Sequence, residues 1–237
     1  MNIILFERHE TAVPLPLTDR RARHVLDVLR FGAGDSFDAG VIDGPRGKAT
    51  IRGVDAAGLH LGFVWGDEPA ALEPISLIIG LPRPQTARKV LEEATALGVA
   101  AIHFVVCERG EPGYARSKLW TTDEWRRHLV EGASQAFSTR LPAVHHGEIL
   151  INAVRALPRG GTSVALDNYE ATRRLSEVEI KPPAVLALGP ERGWSAAERD
   201  CLRASGFVLA SLGERVLRVE TACAAAVALV RAGLGSM

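Results

Sequence analysis

The chain has 237 residues, 47% apolar and 24% charged, which fits a soluble globular protein with ample core material and excludes a disordered or fibrous one. Its 28 Lys and Arg cancel its 28 Asp and Glu, so any nucleic-acid site must be a local patch. Three cysteines without a CxxC pair exclude a disulfide framework and suit a reducing cytoplasm, and no apolar run is long enough for a signal peptide or a membrane span.

Residues 1–70 hold short β-like runs at 3–6, 36–39, 48–51 and 59–64. Asp43-Gly44-Pro45-Arg46-Gly47 between two of them reads as a hairpin turn. One helix is predicted from Thr18 to about Leu29, capped by Thr18 or Asp19, with Val25, Val28 and Leu29 on one face. This half reads as a small β-barrel-like module. After a linker with Pro69 and Pro74 the rhythm changes. Apolar runs at 75–79, 102–106, 163–166, 184–188 and 207–212 read as buried parallel strands. Helical segments at about 84–97, 123–137, 195–205 and 220–232 alternate with them, which gives an α/β domain over 74–237 with a mostly parallel sheet. His145-His146 lies between these runs and reads as a solvated loop, since neighbours in an extended segment point to opposite sides.

Several chemistries find no support: there is no GxGxxG after a strand, no P-loop, no HExxH, no GxSxG and no His/Cys cluster at metal spacing. The chemistry-bearing residues gather near the end. The strand at 184–188 runs into Gly189-Pro190-Glu191-Arg192-Gly193-Trp194-Ser195, where Ser195 and Glu198 form a capping box for the next helix. The following strand ends in Ser211-Leu212-Gly213-Glu214-Arg215-Val216-Leu217-Arg218-Val219-Glu220-Thr221. Ligands in open α/β sheets lie beyond the carboxyl ends of the strands, so two glycine-bearing loops on consecutive strands mark a candidate site.

These two strings resemble the paired C-terminal signature of the SPOUT superfamily of RNA methyltransferases, and most of all the RsmE family. His24-Val25-Leu26-Asp27-Val28-Leu29-Arg30 with Gly34-Asp35, and Lys89 through Val99, are similar to two further elements of that family. The resemblance implies a PUA-like barrel followed by a trefoil-knotted α/β domain, S-adenosylmethionine (SAM) as cofactor, and N3-methylation of a uridine in 16S ribosomal RNA. It implies a homodimer acting in the cytoplasm, on RNA within a small-subunit particle, with no metal and no membrane. SAM is expected against Leu166, against Leu188, Gly189, Pro190 and Glu191, and against Leu212, Gly213, Val216 and Leu217. Arg218, oriented by Glu220, is the expected stabiliser of the uracil anion; a plain helix-entry ion pair between the two is the other reading.

For RNA contact, Arg8, Arg20, Arg21, Arg23, His24 and Arg30 form a patch within a module that counts 8 Lys and Arg against 10 Asp and Glu, so a solvated helix face competes with a phosphate surface. Two departures from the family pattern stand out. Arg192 replaces the first of the paired glycines that end Gly-Pro-Glu-Gly-Gly, where a positive φ would strain it. The helix end Ser134-Gln135-Ala136-Phe137-Ser138 keeps only Gln135 of the family's RNA-side segment, with Arg140 placed to supply the missing guanidinium. A paralogous methyltransferase on another RNA position, or a non-catalytic RNA- or ribosome-binding protein, are the alternatives.

Overall fold

A computed structural model describes residues 2–237, which divide by their contacts into two compact units. The first holds the residues through Ala71 together with Ala133–Leu141; the second holds Leu72–Gly132 and Pro142–Met237.

The first unit is a four-stranded sheet in the order β1 (Ile4–Phe6), β2 (Ser36–Val41), β3 (Arg46–Asp55), β4 (Gly58–Trp65). β1 pairs in parallel with β2, and the β2–β3 and β3–β4 pairs are antiparallel. Phe6, Phe37, Ile51 and Leu59 form its core with Val25. Asp19 caps α1 (Arg20–Arg23) by accepting the Arg21 amide at 2.7 Å. The expected helical run does reach about Leu29, but its second half is not α-helical. A π turn covers His24–Val28, Arg30 enters the left-handed region, and the Phe31 amide returns to the Val25 carbonyl at 3.1 Å. Of the three expected apolar positions only Val25 is buried; Val28 is 66% exposed and Leu29 38%.

The segment 133–141 belongs to this unit through backbone bonds that leave no periodic trace. Ile3 donates to the Ser134 carbonyl, Asp43 to that of Thr139, and the Thr139 hydroxyl to that of Gly44 at 2.6 Å.

The second unit is a seven-stranded, wholly parallel sheet. In chain order it comprises β5 (Glu73–Gly80), α2 (Pro84–Ala96), β6 (Val99–Val106), α3 (Lys118–Thr121), α4 (Glu124–Gln135, whose end joins the first unit), β7 (Ala143–Ile149), α5 (Leu150–Ala156), β8 (Ser163–Leu166), β9 (Arg173–Arg174), β10 (Ala184–Leu188), α6 (Ala196–Ala204), β11 (Val208–Ser211) and α7 (Val219–Leu234). The strand order is β7-β6-β5-β10-β8-β11-β9. The central strands are the predicted apolar runs, buried on both faces.

His145 and His146 lie in β7, an edge strand and not a loop. They do point to opposite sides: His145 stacks on His103 with centroids 4.5 Å apart, and His146 packs on Trp120 at 4.9 Å. No helix of the described residues is long and apolar enough to cross a membrane.

Candidate functional site

β10, β8 and β11 are adjacent and parallel, so their carboxyl ends open on the same edge of the sheet. The three loops leaving them enclose a cavity of about 840 Å³. Leu166 lines it from the first loop, Leu188, Gly189, Pro190 and Glu191 from the second, and Leu212, Gly213, Val216 and Leu217 from the third. Arg218 and Glu220 line it as well. All eleven residues expected at the cofactor and reaction site therefore meet in one place.

Each loop is held by a specific contact. Gly80, at the end of β5, has no room for a side chain: a Cβ there would lie 2.4 Å from Pro190 Cδ and 2.5 Å from its nitrogen. The absence of a Cβ lets the Gly-Pro-Glu loop rest on the strand. Glu191 then reaches α2, whose first residues carry no cap of their own, and its Oε1 accepts the Arg83 amide at 3.0 Å. In the same loop Gly193, not Arg192, takes the left-handed turn with φ 68°, so the strain expected of Arg192 does not arise.

The loop after β8 is fixed by residues that sequence reasoning missed. Asp167 is buried; its Oδ1 accepts the Tyr169 and Glu170 amides, and its Oδ2 accepts Arg199 Nε from α6 at 2.7 Å. Arg199 is itself buried and lies 5.4 Å from the centre of the Tyr169 ring. Trp194, fully buried, donates its indole N–H to the Leu166 carbonyl at 3.2 Å. A buried carboxylate looks like any other Asp in a sequence, which is why the signal was missing.

The third loop enters α7. Glu220 is 6% exposed and its Oε1 faces Lys89 Nζ of α2 at 3.4 Å. The expected Arg218–Glu220 pair is thus replaced by a Lys89–Glu220 pair from a residue 131 positions away. Burial opposes ionisation of Glu220, but its own backbone amide and Lys89 outweigh it and hold the carboxyl below its usual range, with a smaller pull from Arg218. Arg218 is exposed at the N-cap of α7 and makes no ion pair with any described residue. Arg83, Arg174, Arg192 and Arg215, also exposed, line the same cavity.

The expected RNA residues lie in the first unit. Arg8, Arg20, Arg23, His24, Arg30 and Gln135 are exposed. Arg21 is not available for phosphate. Its guanidinium bonds both carboxylate oxygens of Glu10, both of Asp19 and the Leu5 carbonyl, and its own charge is stabilised first by Glu10. Arg140 is half-buried, with Nη2 3.5 Å from the Pro69 carbonyl and Nε lacking a partner, so it neither caps α4 nor lies open on the surface. Away from the cavity, Glu92, His128 and Glu131 bring possible metal-ligand atoms within 4.8 Å, but His128 Nδ1 is already 2.6 Å from Glu92 Oε1.

A family model for the RNA methyltransferase domain matches residues 68–231. The ribosomal RNA small subunit methyltransferase E of Treponema pallidum is 35% identical over 98% of this chain and 91% of its own length. The chain belongs to the RsmE family. Two solved structures share the fold across both units. A Legionella pneumophila methyltransferase with bound SAM gives a TM-score of 0.81 at 23% identity, covering 98% of each chain. A Neisseria gonorrhoeae ribosomal RNA small subunit methyltransferase E bound to S-adenosyl methionine gives 0.79 at 22% identity, covering 98% of this chain and 97% of its own. The RsmE fold accounts for the parallel sheet and for the small curled sheet that precedes it.

Proposed function

We propose that this chain transfers the methyl group of SAM to N3 of a uridine in 16S ribosomal RNA, acting in the cytoplasm as a homodimer on the small subunit. The observation that carries this reading is the meeting, in one cavity, of three strand-end loops and an unpaired arginine at the head of α7. The T. pallidum relative, named for methylation of small-subunit ribosomal RNA, supports it.

The cavity fits SAM. Its volume lies within the roughly 300–1,000 Å³ of small-molecule sites. Leu188, Leu212, Val216 and Leu217 offer an apolar slot for the faces of adenine, and the backbone of Gly189 and Gly213, both half-buried on the cavity wall, offers donors and acceptors for its edge. When bound, SAM supplies a methyl group already activated by its sulfonium. The chain's own residues have two tasks. The loops align the nucleotide with the cofactor, and Arg218 stabilises negative charge on the uracil oxygens as N3 gives up its proton. The α7 N-terminus adds a field of the same sign. Lys89 neutralises Glu220, which keeps a buried anion from cancelling Arg218. The first unit serves as the PUA-like RNA-binding domain, and the second as the trefoil-knotted methyltransferase domain.

Mapping ribosomal RNA by mass spectrometry, from cells with and without this protein, tests the reading: one N3-methyluridine should disappear, and an unchanged map rejects it. Gly80→Ala tests the cofactor site. Overpacking of about 1–3 kcal/mol pushes Pro190 off β5, so SAM affinity measured by calorimetry should fall about tenfold or more. Affinity equal to that of the wild type would mean the Gly-Pro loop does not hold the cofactor. The homodimer is expected to form on α7, where Cys223, Ala226, Val227 and Val230 are buried within the chain and Leu229 stays 41% exposed. Light scattering at micromolar protein should give twice the chain mass; a monomer mass removes the dimer from the proposal.

A further inference from the structure

The chain carries no net charge, yet exposed arginines gather around one opening. Arg83, Arg174, Arg192 and Arg215 share the mouth of the cavity with Arg218, and none of the five forms an ion pair with a described acid. Unpaired arginines such as Arg23 and Arg30 occur elsewhere among the described residues too, while Arg21, Arg88, Arg199, Arg203 and Arg231 each bond a carboxylate, so the rim is set apart by the gathering of five around one opening. Of the four described acids lining the cavity, Glu220 faces Lys89 and Asp167 faces Arg199, while Glu191 accepts the Arg83 amide and Glu214 is exposed, so five guanidinium groups stand against two carboxylates without a cationic partner. The result is a collar of positive charge, with Arg192 the member that stands where the family pattern has glycine. Arg109 donates to the Arg192 carbonyl at 3.4 Å and extends the basic stripe beyond the cavity.

We propose that Arg192, with Arg83, Arg174 and Arg215 around the same mouth, holds the backbone phosphates that flank the target nucleotide; this rests on the reading of the chain as an RNA methyltransferase. The cofactor offers one carboxylate, which cannot occupy four guanidinium groups set around a rim. A single RNA strand entering the cavity presents a phosphate at every nucleotide, and guanidinium groups suit phosphate oxygens in fork geometry. Such phosphate bonds carry no base preference. Arg192 therefore adds affinity for the strand while the inner residues select the base.

The test uses the full chain and a single-stranded oligonucleotide copied from 16S ribosomal RNA, with binding followed by fluorescence anisotropy over a range of salt. Arg192→Gly places the family's usual residue at a position free of backbone strain, so the fold is preserved. The slope of log affinity against log salt should become shallower by about 0.7 for each phosphate no longer neutralised. Arg174→Ala in the same chain should remove a second step of that size, and SAM affinity should not move. An unchanged slope in Arg192→Gly overturns the proposal. So does weaker SAM binding at an unchanged RNA slope, which assigns the rim to the cofactor's carboxylate. A wild-type chain that neither binds nor methylates ribosomal RNA overturns the functional reading as well, and is told apart from the first failure because it needs no variant.

Discussion

Arg218→Ala is expected to slow methyl transfer to ribosomal RNA by about 10²–10³-fold, the usual loss when one donor to a developing anion is removed. SAM affinity and the fold should stay almost unchanged. The guanidinium is exposed and bonds nothing in the chain, so its removal exposes no buried partner. Its backbone carbonyl, which accepts the Ala222 amide at 2.8 Å, is kept by any side chain. The charge acts chiefly when N3 loses its proton, so the loss belongs in turnover more than in substrate binding. Arg218→Lys should recover only part of the rate, because an ammonium lacks the planar fork that can meet the uracil edge. Single-turnover kinetics with saturating SAM and RNA separate the outcomes. Turnover close to wild type, or a collapse of SAM binding, would give Arg218 a different role. Lys89→Met provides a contrast: it frees Glu220 to sit as an uncompensated anion in the same cavity and should slow transfer through charge, with Arg218 still present.

The site is more legible in the sequence than its supports are. Glycine-bearing loops after apolar strands are readable because a buried parallel strand leaves a continuous hydrophobic run and its exit needs turn residues. Leu166, the Leu188–Glu191 stretch and the Leu212–Leu217 stretch all line the cavity for that reason. Their fixings come from distant residues of ordinary type. Lys89 is 131 positions from Glu220, and Arg199 is 32 from Asp167, so neither pair has a local pattern. His145-His146 reads as a loop because the edge strand β7 that holds it is polar along AVHHGEI, without the apolar run of a central strand. β9 has only two residues. The segment 133–141 joins the first unit through backbone bonds, which any side chain could make. Arg192 illustrates the reverse error: the motif places strain on it, while Gly193 carries the left-handed turn.

Asp167→Asn is expected to cost the protein both stability and cofactor. The substitution is nearly isosteric, and its carbonyl oxygen can still accept the Tyr169 and Glu170 amides that shape the loop. What it removes is the charge opposite Arg199, whose side chain is 6% exposed. Breaking one side of such a pair strands the other charge away from water, at about 3–5 kcal/mol. For a chain of this length that corresponds to a fall in melting temperature of about 6–20 °C. Glu170 lies 3.5 Å from Arg199 Nη1 and is partly exposed, so it can compensate in part and the lower end of that range is expected. The same change loosens the loop that carries Leu166 and Tyr169 into the cavity, so SAM affinity should fall along with stability. Arg199→Met should behave similarly, since it leaves Asp167 buried with only backbone amides for company. The double variant decides what the pair does. If the two charges only stabilise the fold, replacing both should recover the melting temperature and the SAM affinity together. If they position the loop, the melting temperature should recover while SAM affinity stays low, because the buried tie at Asp167 is gone and the half-exposed Glu170–Arg203 pair is left to join the β8 loop to α6. A melting temperature within about 2 °C of wild type together with unchanged SAM affinity for Asp167→Asn would show that the pair supports neither.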